Sequence, residues 1–251
     1  MIGAIGYFHS QLKATYEIIK NYRHFYPSNS LVMINDAGRE ELKDIAKLFQ
    51  ASYHPYTKNL TTGNNVDDIN VMIEWLKRFF KAVKEIKEPH FIILEDDVII
   101  IQSINLSDFT GEMYGYNSNA LLPEKVTEYL KNYNSSIQTS RVCYGGCGGC
   151  IMNTKFFCEI GDRDWETEIK KYGELSQRYS PNEQSWYFND CCVSFLCWRF
   201  GGTIVQNKSW GDLNQAESHE KYKNGKLTIG HQYREHFNKP YQTIHGNIHV
   251  L

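Results

Sequence analysis

Three consecutive acids, Glu95, Asp96 and Asp97, stand in the middle of the stretch FIILEDDVII, residues 91–100. Phe91 to Leu94 lead into them and Val98 to Ile101 follow, all apolar. An unbroken apolar run rich in β-branched residues reads as a strand buried on both faces. Carboxylates placed there repel one another and lose hydration, at a cost on the order of several kcal/mol unless something compensates. A hard divalent cation, which takes oxygen ligands, is the natural compensation. On a strand Glu95 and Asp97 point to one side and Asp96 to the other, so one acid can hold a metal while another reaches a different part of a ligand. The simpler reading is an exposed acidic turn between two strands. The apolar flanks argue against it.

The elements around these acids alternate. Ile2 to Gly6 is a short apolar strand, ended by a tight turn at Gly6-Tyr7-Phe8. Residues 10–25 follow as a helix with Leu12, Tyr16 and Ile19 on one face. Leu31 to Ile34 is a second strand that runs into Asn35 and Asp36; residues 39–49 form a short helix and 51–56 a third strand. This order predicts a parallel α/β layer sandwich. In such sheets ligands sit beyond the carboxyl ends of the strands, the edge shared by Gly6–Phe8, Asp36 and Glu95–Asp97. Thr61-Thr62-Gly63-Asn64-Asn65 is a loop suited to capping a helix over 66–87, whose stripe from Ile69 to Ile86 reads as core.

The second half is less regular. A helix is predicted over 123–132. In CYGGCGGCIMNTKFF, residues 143–157, the glycines permit either close backbone approach to a ligand or a plain bend, before a strand at Ile151–Met152 and a helix from Thr154. Residues 162–180 read as charged surface. Residues 185–205 read as a helix with Asp190 at its start, closed by Gly201–Gly202, then a last strand at Thr203–Val205. Five of the nine histidines follow: His219, His231, His236, His245 and His249.

Composition sets bounds. The chain has 251 residues, enough for one large domain, and at 41% hydrophobic it can bury a substantial core. A net charge of −2 with Lys and Arg dispersed gives no general attraction to nucleic acid or anionic membrane. The start, MIGAIGYFHSQ, is too short and polar for a signal peptide, and no window reaches the roughly 18–20 apolar residues of a membrane span. Seven cysteines, with Cys191 and Cys192 adjacent, argue against a disulfide framework and for a reducing compartment. The expectation is a cytoplasmic protein.

Taken together, the ordered set resembles the GT-A fold glycosyltransferases. It comprises the Gly6–Phe8 strand end, Asp36, the Gly63-Asn64-Asn65 loop and its long helix, Glu95-Asp96-Asp97 as a DxD-type motif, the glycine-rich strand at 145–152, and the Asn189–Asp190 helix closed by Gly201–Gly202. The resemblance covers most of the chain. It implies a Rossmann-like three-layer sandwich with a mixed, mostly parallel sheet: a single domain over 1–251, with a nucleotide-binding half over 1–102 and an acceptor-binding half over 103–251. It implies a UDP- or GDP-sugar donor and a hydroxyl acceptor, most naturally a glycan. Tyr7, Phe8 and Asp36 would hold base and ribose, with Gly6 and Asn65 in the same donor set. Glu95 and Asp96 would reach the ribose, and Asp97 would bind Mn²⁺ or Mg²⁺. Asp190 matches the acid that deprotonates the acceptor in inverting members. Gly148, Gly149 and Trp186 would line the substrate. A late histidine completes the metal site in many members; His231 is the choice here, with His236, His219 and His245 as rivals. Each residue also has a plainer reading: Asp190 as a helix-start acid, Trp186 as core, and any tail histidine as surface.

Two competing classes remain open at this level. Cys143-x3-Cys147-x2-Cys150 has the spacing of the radical S-adenosylmethionine enzymes, whose thiolates hold an iron–sulfur cluster. Only about a hundred residues follow it, too few for a barrel on the roughly 250-residue scale, and the spacing is no standard zinc pattern. The other class is a module on the same fold that binds a nucleotide sugar without turnover.

Overall fold

The computed structural model describes residues 1–60, 68–107, 109–117, 123–135, 137, 143–144, 148–176, 189–231, 241–243 and 246–248. The first half alternates as β1 (Ile2–Phe8), α1 (Leu12–Phe25), β2 (Leu31–Asp36), α2 (Leu42–Leu48), β3 (Ser52–Tyr56), α3 (Ile69–Val83) and β4 (His90–Leu94). Then come β5 (Ile99–Ile100), β6 (Met113–Asn117), α4 (Glu124–Lys131), β7 (Cys143–Tyr144), β8 (Ile151–Asn153), α5 (Thr154–Gly161) and α6 (Trp165–Leu175). The chain continues through α7 (Asn189–Arg199), β9 (Ile204–Gln206), β10 (Trp210–Asp212), α8 (Ala216–Lys223), β11 (Ile229–His231), β12 (Tyr241–Thr243) and β13 (Gly246–Ile248).

Among the described residues the main sheet has eight strands, in the order β3-β2-β1-β4-β8-β6-β7, with β9 also on β6. The β3-β2-β1-β4 block is parallel, while β8 is antiparallel to both of its neighbours, β4 and β6. This is the mixed, mostly parallel α/β sandwich that the alternation predicts. The apolar runs are buried on both faces because the pleat sends alternate residues to opposite layers. Ile5, Val32, Ile34, Phe91 and Ile93 face the cluster formed with α3, α5, α6 and α7. Ile2, Ala4, Leu31, Met33, Ile92 and Leu94 face the other, which includes Ile18, Ile19 and Tyr22 of α1 and Leu42 and Ala46 of α2. Each Val, Leu, Ile, Met or Phe among them contributes about 1.5–3 kcal/mol on burial.

Four expectations are corrected. Gly6-Tyr7-Phe8 do not turn; they extend β1, whose parallel register with β2 continues to Phe8 opposite Asn35. Residues 91–100 are not one strand. β4 stops at Leu94, the acids form a turn in which Val98 N–H donates to Glu95 O at 3.2 Å, and Ile99–Ile100 join a second sheet, β10-β11-β5. Apolar composition on both sides cannot separate a continuous strand from strand–turn–strand. The change of direction is fixed from outside the stretch. Asn21, buried on α1, brackets the Ile100 backbone, with Nδ2 donating to Ile100 O and Oδ1 accepting from Ile100 N, both at 2.9 Å. Residues 162–180 are not merely surface. Asp164 Oδ1 caps α6 by accepting from Thr167 N–H at 3.4 Å, and Trp165, Ile169 and Tyr172 bury one face of that helix. Finally, Thr203–Val205 does not hold the last strand: β9 is followed by β10 to β13. The long helix is capped by Asp68, which accepts from Asn70 N–H at 2.9 Å; the 61–65 loop lies outside the described residues.

Candidate metal centre

Because β1, β2, β3 and β4 run parallel, their carboxyl ends share one edge, and Tyr7–Phe8, Asp36, Tyr56 and Leu94–Glu95 lie along it. The acidic turn leaves β4 at this edge. β5 then pairs antiparallel with β11, Ile100 opposite Ile229 and Ile99 opposite Gly230. One residue further on, His231 reaches the turn. β10 lies parallel on the other side of β11, with Asp212 opposite His231.

Ligand atoms of Glu95, Asp97 and His231 all lie within 4.8 Å of one another. His231 Nε2 is 3.6 Å from Asp97 Oδ1 and 3.8 Å from Glu95 Oε2. These are ion-pair distances, too long for hydrogen bonds. Asp97 is buried, while Glu95 and His231 are partly so. Burial pushes the His231 imidazole down, but the Glu95, Asp97 and Asp212 carboxylates push it up by more, and the net shift is upward. The trio therefore attracts positive charge. Around an ion with bonds of about 2.1 Å, adjacent donor atoms sit roughly 3.0–3.4 Å apart, so the two His231 pairs, at 3.6 and 3.8 Å, are near the spacing a divalent cation would impose. Two carboxylates and an imidazole are also a donor set that divalent metals accept.

The surroundings hold these groups in place. The Trp210 ring stacks on His231 with centroids 5.4 Å apart, and its Nε1 donates to Gly148 O at 3.2 Å. Gly149 N–H donates to Ile93 O at 2.8 Å, so the glycine bend closes against the end of β4. A Cβ on Gly148 would lie 2.9 Å from Glu95 Oε2, and one on Gly149, where φ is +84°, would lie 2.8 Å from Trp210 Nε1. The bend thus carries a forced glycine conformation at Gly149 and packs Gly148 closely against Glu95.

The other predicted residues sit as follows. Tyr7 stacks on Trp75 at 4.8 Å, and burial, with Asp36 and Tyr56 adding to it, holds its phenol far above the usual range. Phe8 packs into the opposite layer, and its ring occupies the space a Gly6 side chain would take. Asp36 is buried, with Oδ1 2.5 Å from Arg78 Nη1 and the carboxylate accepting the Leu60 N–H at 2.9 and 3.1 Å. Asp96 is half-buried in the turn. Asp190 lies in the first turn of α7 and its side chain is not among those described. Asn65, Trp186, His236 and His245 fall outside the described residues. His219 is buried on α8, its Nε2 3.2 Å from Leu213 O, among the packing of the second sheet. The buried thiols of Cys150, Cys191, Cys192 and Cys197 pack in the apolar core; Cys147 lies outside the described residues.

Sequence reasoning misses Trp210, Asp212 and Arg78. A signal exists only for Arg78, an arginine at the helical spacing of the apolar residues Val71, Trp75 and Ala82.

No family model matches the sequence, and no curated protein matches it. In structure, the chain is similar to the galactosyltransferase LgtC solved in complex with donor and acceptor sugar analogs, at 14% identity and a TM-score of 0.50, over 91% of this chain and 86% of that one. It is equally similar to an active-site mutant of LgtC, at 13% identity and the same TM-score and coverage. At these identities the likeness establishes architecture: the chain has the GT-A type of fold found in glycosyltransferases.

Proposed function

We propose that this GT-A-type chain is a metal-dependent glycosyltransferase that moves a sugar from a UDP- or GDP-sugar to a hydroxyl of a glycan or similar acceptor, with inversion. The observation that carries the reading is the convergence of Glu95, Asp97 and His231 at the carboxyl edge of the parallel strands. Those three side chains would hold Mn²⁺ or Mg²⁺. A cation bound there supplies charge neutralisation for a departing nucleoside diphosphate.

The chain's own residues do the rest. Residues 1–102 form the donor half, where Tyr7, Asp36 and Asn65 line the nucleoside, Gly6 and Phe8 shape the end of β1 beneath it, and Asp96 reaches its ribose beside the metal-holding Glu95. Because the Asp36 carboxylate is bound to Arg78 and the Leu60 N–H, it sets the wall of this pocket as much as it contacts ligand. Residues 103–251 form the acceptor half, with Gly148, Gly149 and Trp186 against the sugar. Asp190 takes the acceptor proton as the acceptor oxygen bonds to the anomeric carbon. The anomeric carbon–oxygen bond to the diphosphate breaks, and its electron pair leaves with the nucleotide. A positioned base of this kind contributes about 10²–10⁴-fold. The cysteine usage supports a reducing compartment such as the cytoplasm.

The test is nucleoside diphosphate release from a panel of UDP- and GDP-hexoses with Mn²⁺ and short glycan acceptors. Asp190→Asn should retain donor affinity and lose about 100-fold or more in turnover. Full turnover by that variant would remove Asp190 from the mechanism. Donor binding without turnover in the unmodified protein would mark a binding module.

A further inference from the structure

A cavity of about 410 Å³ opens beside β6 and β9, and its lining does not include Glu95, Asp97 or His231. That volume lies within the roughly 300–1,000 Å³ typical of small-molecule sites. Its walls combine three amides, Asn105, Gln206 and Asn207, with the Ser209 hydroxyl and the aromatic pair Phe109 and Tyr114. The two rings meet edge to face with centroids 3.9 Å apart.

Asn207 distinguishes this cavity from an ordinary surface dent. Its residue is only 6% exposed. Its Oδ1 accepts from Ser209 N–H at 3.1 Å and from Ser209 Oγ–H at 2.8 Å, which fixes the amide's orientation. The Nδ2 at the other end is buried and has no acceptor among the described residues. A buried donor without a partner costs about 1–3 kcal/mol, so this amide sits in the wall with hydrogen-bonding capacity unspent. The backbone behind it is rigid: Asn207 N–H donates to Gly115 O at 2.7 Å, and Ser209 O accepts from both Thr228 N–H and Ile229 N–H.

We propose that this cavity is a saccharide-binding subsite for a neutral sugar unit, separate from the metal centre. Amides both donate and accept, as sugar hydroxyls do, and an aromatic wall suits the apolar face of a pyranose. Among the described residues the lining holds no carboxylate and one cation, the exposed Lys208, which is not the cluster of cations or backbone N–H groups that a phosphate requires. The site exceeds the reading given above, because it engages sugar without nucleotide or metal.

The experiment is saturation-transfer NMR with galactose, glucose, N-acetylglucosamine and lactose, without nucleotide and in the presence of a metal chelator. At least one of these sugars should bind, with a dissociation constant on the order of 1–10 mM. Gln206→Trp, a bulkier ring at an exposed position of the wall, and Phe109→Ala should each weaken binding by about tenfold or more. Asp97→Asn should leave it unchanged, which separates this proposal from the fate of the metal centre. Asn207→Leu extends the series if it folds, and Gln206→Trp decides the matter if it does not. Absence of binding by all four sugars, or binding that survives Gln206→Trp, overturns the assignment.

Discussion

Replacing Arg78 with methionine asks how Asp36 is held at the end of β2. Arg78 Nη1 lies 2.5 Å from Asp36 Oδ1, with the two side chains 4% and 2% exposed. The guanidinium also sits 4.0 Å over the Tyr56 ring. Methionine keeps the apolar stem that packs within α3 but withdraws the charge, and the buried carboxylate loses its ion pair while keeping the Leu60 N–H. Breaking a buried pair from one side costs about 3–5 kcal/mol. For a chain of this size each kcal/mol is worth roughly 2–4 °C, so the melting temperature should fall by roughly 6–20 °C. Asp36→Asn combined with Arg78→Met removes the stranded charge and should recover at least half of that loss, a coupling that a double-mutant cycle measures. Urea unfolding followed by circular dichroism gives the midpoint and slope for each variant. A loss below about 1 kcal/mol for Arg78→Met, or a double variant as unstable as the sum of the singles, would refute the buried-pair argument.

Gly149→Ala should cost about 1–2 kcal/mol, since φ is +84° and the added Cβ meets Trp210 and Ile229; an unchanged urea midpoint would contradict it. Burial, aided by the positive N-terminus, pushes His90 below its usual value of 6.5, so its contribution to stability is full above about pH 6.5 and is lost as pH falls below that. His90→Gln should flatten the decline of the urea midpoint as pH falls below about 6.5, and an unaltered slope would count against that.

The sheet was legible because its strands are continuous apolar runs. Val32, Ile34, Phe91 and Ile93 announce burial, and the pleat assigns their layers without tertiary information. Tertiary partners decided the rest. Nothing within FIILEDDVII shows that Asn21 and β11 will redirect it after Leu94. Convergence of Glu95 and Asp97 was expected from strand alternation and is found instead in a turn, so the expectation was met by a different geometry. His231 among several tail histidines could be singled out only by the register of β11 against β5, which brings it beside the acids. Trp210 gave no sign of its place, since its contacts with His231 and Gly148 join residues far apart in the chain. Helix α6 went unread because its charges obscure three well-spaced apolar residues, Trp165, Ile169 and Tyr172.

The metal reading meets its most direct test in titration calorimetry of UDP and GDP with and without Mn²⁺, on the unmodified protein, Asp97→Asn and His231→Ala. Mn²⁺ should tighten binding of at least one of these nucleotides by about tenfold or more in the unmodified protein, and this gain should vanish in both variants. Equal affinity with and without Mn²⁺ in the unmodified protein, or a gain that persists in Asp97→Asn, would contradict it.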